Sequence, residues 1–109
     1  MIVLRFADIN VKKAYERLKK SEFQDLYKHL ARAFKDIEKT PSCGISIPKK
    51  LIPKVYIKKY GIVSLFKYDL PAGWRLIYSL DKDGIEVIAI ILEWMKHKDY
   101  EKRFKYKSR

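Results

Sequence analysis

The chain has very little of what disulfide frameworks and metal centres require. Its 109 residues include one cysteine, Cys43, and two histidines, His29 and His97. A single cysteine cannot form an intramolecular disulfide, and two isolated histidines do not have the spacing of metal ligands. The sequence therefore predicts a protein without structural disulfides, without a bound metal and without a cofactor.

Long hydrophobic runs are also missing. No stretch approaches the roughly 18–20 apolar residues that cross a bilayer. The first residues, MIVLRFADIN, lack the basic start and long apolar core of a secretory signal peptide. These absences predict a cytoplasmic protein with no membrane partner. Because 109 residues leave room for one hydrophobic core, we expect a single domain over residues 1–109.

Acidic residues are scarce relative to basic ones, with 13 Asp and Glu against 25 Lys and Arg, for a formal net charge of +12. Residues 1–48 carry an excess of +4, whereas residues 49–109 carry +8. Most of that excess lies in Lys49–Tyr60, with five lysines and no acid, and in Lys96–Arg109, with seven basic residues and two acids. Ion-paired surfaces intersperse the two signs. The segregated charge therefore favours a polyanionic partner, RNA above all.

The basic side chains of these two segments are the candidate RNA-binding residues: Lys49, Lys50, Lys54, Lys58, Lys59, Lys96, Lys98, Lys102 and Arg103. An alternative interpretation is a lysine-rich surface of the kind found in thermophilic proteins. The scarcity of amide side chains, of which Asn10 and Gln24 are the only two, supports it.

Two amphipathic helices are predicted in the first half of the chain. Apolar residues recur at helical spacing from Val11 to Leu18, after a cap at Asp8 or Asn10. A second helix is predicted to begin at Ser21, with Gln24 as its capping-box partner, and to be ended by Pro41 and Gly44. The short connection between them is typical of a helical hairpin.

Alternating or continuous apolar residues predict four strands, at residues 2–6, 62–70, 74–80 and 85–94. Residues 85–94 are apolar on both faces, which favours a central strand. The basic segment around Pro48 and Pro53, before the strand at residue 62, is expected to be irregular, and a short helix is expected over residues 97–106. The predicted class is therefore α+β: a helical hairpin packed on a mostly antiparallel four-stranded sheet, with a short C-terminal helix and the second sheet face at least partly open.

Arg75 is the leading candidate for chemistry. It lies between Trp74 and Leu76, and the even-numbered side chains from Trp74 to Leu80 are all large and apolar. Because successive strand residues point to opposite faces, Arg75 projects away from that apolar face. A fixed guanidinium there can hold a phosphate through two hydrogen bonds. The structural alternative is an ion pair with Asp69 or Glu86.

Three further side chains are candidates near Arg75. His97 follows the last strand and can donate or accept a proton near neutral pH, although a lone histidine is more often a surface or capping residue. Tyr100 shares a helical face with His97, or simply packs the helix. Lys67 lies on the strand paired with that of Arg75, and whether it faces Arg75 depends on a single residue of register.

Several segments together resemble the RelE/ParE toxin superfamily. They cover nearly the whole chain: Phe6 to Leu18, Gly44 to Pro48, the Lys67-Tyr68-Asp69-Leu70 segment leading into Trp74-Arg75-Leu76-Ile77-Tyr78, and His97-Lys98-Asp99-Tyr100. The resemblance implies a compact, metal-independent ribonuclease that cleaves mRNA in the ribosomal A site. It also implies an acidic or amphipathic antitoxin protein as partner.

In this resemblance Arg75 matches a phosphate-binding arginine, and His97 and Tyr100 fall where family members keep a catalytic histidine or tyrosine. Lys67 or Lys59 would add positive charge at the transition state. Two alternatives remain: a non-catalytic topoisomerase inhibitor of the ParE kind, and a simple RNA-binding domain. The combination of Arg75, His97 and Tyr100 favours the nuclease.

Overall fold

A computed structural model describes residues 2–105. Its regular elements, in chain order, are β1 (Ile2–Phe6), α1 (Ile9–Leu18), α2 (Gln24–Lys39), β2 (Ile45–Ser46), α3 (Lys54–Tyr60), β3 (Phe66–Asp69), β4 (Trp74–Asp83), β5 (Glu86–Lys96) and α4 (His97–Phe104). The predicted last turn of the C-terminal helix, at Tyr106, lies outside the described residues, as do the basic residues Lys107 and Arg109.

The strands form one mixed sheet in the order β1-β5-β4-β3-β2, in which β1 runs parallel to β5 and the other neighbours are antiparallel. The predicted α+β class is confirmed. The predicted count of four strands is wrong, because Ile45 and Ser46 pair with Lys67 and Phe66 as a fifth, edge strand. Two residues are too few to produce a visible alternation in sequence.

The connections at the two ends of α1 explain the helical hairpin. The Asp8 side chain accepts a hydrogen bond from the backbone N–H of Val11 at 2.9 Å, which confirms the predicted cap. The capping box predicted at Ser21 is wrong. The Ser21 hydroxyl donates to the Leu18 carbonyl and accepts from the Phe23 N–H instead. It therefore closes the turn between the helices, and α2 begins at Gln24.

The apolar faces of α1 and α2 cover one face of the sheet. The buried residues of this first core are Leu26, Leu30, Ala33, Phe34, Ile37, Leu70, Leu76, Tyr78, Ala89 and Ile91. Those contributed by α2 recur at helical spacing, and those of β4 are the even-numbered residues that the sequence assigns to the core.

The opposite face of the sheet carries a second core, under α3 and α4. Its buried residues are Ile47, Ile52, Tyr56, Leu65, Ile77, Leu92, Met95, Tyr100 and Phe104. The expectation of an irregular segment here is wrong, since Lys49–Leu51 form a 3-10 turn and α3 follows it. Gly61, whose φ of 61° is in the left-handed region, then ends α3. The helices α3 and α4 therefore cover most of the second sheet face, and together they carry more basic than acidic side chains.

Gly44 joins α2 to β2 where a side chain does not fit. Its N–H donates to the Tyr78 hydroxyl at 2.9 Å, and that hydroxyl donates to the Pro41 carbonyl at 2.8 Å. A Cβ on Gly44 would lie 2.7 Å from both the Lys67 carbonyl oxygen and the Tyr78 hydroxyl oxygen. We therefore expect Gly44→Ala to lower the free energy of unfolding by about 2 kcal/mol, as overpacked cores do. Urea unfolding measures it.

The control for this variant is Ser42→Ala in the same loop. Ser42 is exposed, so its replacement should change the free energy of unfolding by less than about 0.5 kcal/mol. Equal stability of the two variants would contradict the close approach at Gly44.

Tyr68 links β3 to α2 through a hydrogen bond from its hydroxyl to Asp36, 2.5 Å long. Burial, together with this carboxylate, raises the pKa of Tyr68 from 10.0 to about 12. The folded protein therefore keeps a proton that the unfolded chain loses near pH 10. The stability gained from Tyr68 is fully present below about pH 10 and is lost as the pH rises towards about 12.

Comparison of the wild type with Tyr68→Phe checks this dependence. The difference in free energy of unfolding between the two proteins should shrink as the pH rises from about 9 to about 11. Urea unfolding across this range measures the difference. A difference that stays constant would show that Tyr68 ionises alike in both states.

No helix within residues 2–105 combines the length and the apolar character needed to cross a bilayer.

Candidate active site

Strand register brings Lys67 to the same sheet face as Arg75. Asp69 pairs with Arg75, and Lys67 pairs with Ile77. Residues two apart on a strand share a face, so Lys67, Asp69 and Arg75 point in the same direction. The turn from β5 into α4 then carries His97 and Tyr100 over them. All four candidate residues thus meet at one end of the sheet.

Arg75 is the centre of this cluster. One terminal nitrogen of its guanidinium donates to His97 Nδ1 at 2.8 Å, and the other lies 3.3 Å from Asp69 Oδ1. The ion pair with Asp69 that the sequence offered as an alternative is therefore present. Glu86 lies at the other end of β5 and pairs with Asp83. Arg75 Nε is buried and has no hydrogen-bond partner among residues 2–105.

The contacts of His97 determine which of its ring nitrogens carries the proton. A guanidinium can only donate, so Nδ1 accepts from Arg75 and the neutral ring carries its hydrogen on Nε2. Nε2 lies 3.2 Å from a carboxylate oxygen of Glu101, one helical turn along α4. The imidazole is therefore held between a cation and a carboxylate, with its basic lone pair directed into the cluster.

Tyr100 lies beneath the two cations. The Lys67 ammonium is 5.8 Å from the centroid of its ring, and the Arg75 guanidinium carbon is 5.1 Å away, within the range of cation–π attraction. Tyr100 is only 2% exposed, and its hydroxyl oxygen is buried. The sequence places it among proton-transfer candidates. In this structure its ring packs against Lys67 and Arg75.

Two carboxylates complete the cluster. The Lys67 ammonium donates to both oxygens of Asp69, at 3.0 and 3.2 Å, and Glu101 contacts His97. Sequence reasoning treated Asp69 only as an ion-pair partner and missed Glu101, although the four-residue spacing from His97 on a predicted helix is a usable signal. The charges of the two cations and two carboxylates balance.

Most of the predicted RNA-binding lysines are exposed near the face that presents Arg75. Five belong to the 3-10 turn and α3, and two to α4: Lys49, Lys50, Lys54, Lys58, Lys59, Lys98 and Lys102. Because α3 and α4 cover the same sheet face, these two basic segments lie on the side of the sheet that presents Arg75. This arrangement can attract a polyanion towards Arg75.

Two predicted RNA-binding residues are placed differently. Lys96 pairs with Trp74, donates to the Ala72 carbonyl at 2.9 Å and lies 5.0 Å from the Trp74 ring centroid. It therefore belongs to the opposite sheet face. Arg103 lies 2.7 Å from Glu93, so its charge is already paired.

A groove of about 700 Å³ runs beside α4, lined by Val55, Glu93, Trp94, Met95, Asp99, Lys102, Arg103 and Lys105. None of the four clustered candidates lines it, so the cluster is a separate surface feature. Within residues 2–105, no group of three or more His, Cys, Asp or Glu side chains is arranged to hold a metal ion.

The chain matches no protein-family model, no curated protein and no solved structure. What the protein does must therefore be inferred from the cluster itself.

Proposed function

We propose that this protein is a RelE-like ribonuclease toxin that cleaves mRNA at the ribosome without a metal and is silenced by an antitoxin protein. The observation that carries the proposal is the contact of Arg75 with His97. A guanidinium for phosphate and an imidazole for proton transfer lie 2.8 Å apart, on the sheet face that the basic helices α3 and α4 also cover.

The proposed reaction is attack of a ribose 2′-oxygen on the adjacent phosphorus. A base takes the proton of the 2′-hydroxyl as the new O–P bond forms, and the bond from phosphorus to the 5′-oxygen breaks. An acid protonates that leaving oxygen. The products are a 2′,3′-cyclic phosphate and a free 5′-hydroxyl. The 2′-hydroxyl requirement makes RNA, and not DNA, the substrate.

Arg75 and Lys67 would stabilise the charge that develops on the phosphate oxygens. Both are held in place before substrate binds, because each lies over the Tyr100 ring. Preorganised cations stabilise a developing charge without rearranging during the reaction. Lys67 also delivers a full ammonium charge, whereas Arg75 can bind two oxygens at once.

His97 would move the proton. Its Nδ1 is the unprotonated nitrogen and accepts from Arg75 in the free protein. When Arg75 binds the phosphate instead, that contact breaks, and the Nδ1 lone pair becomes free to take the proton of the nearby 2′-hydroxyl. Glu101 lies 3.2 Å from Nε2 and would stabilise the imidazolium formed when Nδ1 takes a proton. A carboxylate behind a catalytic histidine acts in this way in other hydrolytic enzymes.

The first test uses the wild-type protein and translating ribosomes. After incubation, mapping of mRNA 5′ ends should show cuts at codon-linked positions, with 5′-hydroxyl termini. Binding of RNA without any cleavage would contradict the proposed nuclease activity and favour a simple RNA-binding domain. Inhibition of topoisomerase-dependent supercoiling, in the absence of cutting, would point to the ParE-like alternative.

A further inference from the structure

We infer that Lys67 and Arg75 form a phosphate site which, in the free protein, is filled by the Asp69 carboxylate, and that RNA must displace it. The inference rests on the proposed function in one respect: the incoming phosphate is taken to be that of RNA. It goes beyond that function by assigning to Asp69 the role of an internal competitor.

Both cations converge on one carboxylate oxygen. Asp69 Oδ1 lies 3.0 Å from Lys67 Nζ and 3.3 Å from an Arg75 terminal nitrogen. An oxygen shared by an ammonium and a guanidinium is in the position that a phosphate oxygen prefers. The cations, 16% and 18% exposed, are largely enclosed, whereas Asp69 is 50% exposed. Asp69 is thus the most exposed of the three side chains.

The anchoring of the three side chains is unequal. Arg75 is held by His97 and by the Tyr100 ring, and Lys67 by the same ring. Among residues 2–105, the Asp69 carboxylate contacts only these two cations. It is the last residue of β3, next to the turn at Pro71–Gly73. Asp69 can therefore leave while the cations stay in place.

Two roles for Asp69 predict opposite effects of removing its charge. If Asp69 only orients Lys67 and Arg75, Asp69→Asn leaves them poorly placed, and RNA binds more weakly. If Asp69 competes with phosphate, RNA no longer has to displace a carboxylate from Lys67 and Arg75 in the variant, and it therefore binds more tightly. Two ion pairs to a half-exposed carboxylate correspond to a gain of about fivefold in affinity.

The experiment compares the wild type with Asp69→Asn and Asp83→Asn. Asp83 is exposed at the far end of β4, beside Gly84, where asparagine is well tolerated in a tight turn. Both variants raise the net charge equally. Binding is measured with a fluorescent single-stranded RNA carrying 2′-deoxy substitutions, which binds but is not cleaved. Asp83→Asn should alter affinity by no more than about twofold, because salt screens distant charges.

Salt dependence supplies a second readout. In the wild type, phosphate exchanges with Asp69 and releases few counterions from Lys67 and Arg75. In Asp69→Asn these cations carry counterions, which RNA releases. The slope of log affinity against log salt should therefore steepen by about 0.7 for each cation freed. Asp83→Asn should keep the wild-type slope.

The outcomes separate this inference from the proposed function. Tighter binding and a steeper slope for Asp69→Asn support the displaced carboxylate, whether or not the wild type cleaves RNA. Affinity equal to or below that of Asp83→Asn overturns it, even if the wild type is an active nuclease. Circular dichroism and urea unfolding confirm that each variant is folded before binding is measured.

Discussion

Replacing Arg75 with alanine is expected to reduce RNA cleavage by about 10²–10³-fold, the usual cost of removing a preorganised donor from a developing negative charge. Arg75 contacts His97 and Asp69 and lies over Tyr100, so its loss removes both the charge and the group that directs His97. Single-turnover cleavage of ribosome-bound mRNA, followed by primer extension, measures the effect.

Two variants give this prediction its controls. Arg75→Lys keeps the charge but loses the forked geometry, so it should recover only part of the rate. Arg17→Ala on α1 removes the same charge from the opposite side of the sheet, and its cleavage rate should stay within about twofold of the wild type. A rate for Arg75→Ala within tenfold of the wild type, in a folded protein, would rule out the proposed role.

Replacing His97 with alanine is expected to reduce cleavage by about 10²-fold or more, in line with the contribution of a positioned general base. The informative partner is His97→Asn. The asparagine side-chain oxygen can accept from Arg75 near the position of Nδ1, but an amide cannot take a proton at neutral pH. Single-turnover rates of both variants are measured on the same mRNA.

The two His97 variants distinguish proton transfer from positioning. If His97 moves the proton, His97→Asn and His97→Ala should be about equally slow. If His97 only holds Arg75, the asparagine variant should recover most of the wild-type rate. That recovery would contradict the assignment of His97 as a catalytic residue and leave Arg75 as the main contributor.

Local patterns were sufficient to predict much of the sheet. Alternation from Trp74 to Leu80 indicated which side chains of β4 enter the core under α1 and α2, because strand periodicity depends only on neighbouring residues. Apolar residues on both faces of residues 85–94 indicated a central strand, and β5 does lie between β1 and β4. The Asp8 cap is equally local.

Other elements had no such local signal. Within α3 only Tyr56 is buried, while its apolar neighbours Val55 and Ile57 are exposed. The helix therefore shows no apolar stripe, and its sequence looks like an irregular basic segment. The edge strand β2 is two residues long and is defined by its pairing with β3.

Some features of the candidate site could likewise be predicted from local sequence, and others depend on the tertiary structure. The sequence by itself determined the α+β class, the basic segments and the residue types Arg75, Lys67 and His97, because composition and alternation are properties of the chain alone. Only the tertiary structure decided that Lys67 faces Arg75, that Tyr100 is buried beneath them, and that Asp69 occupies the space between the cations. Each of these depends on strand register and on where α4 begins, and long-range pairing, which no local pattern encodes, sets both.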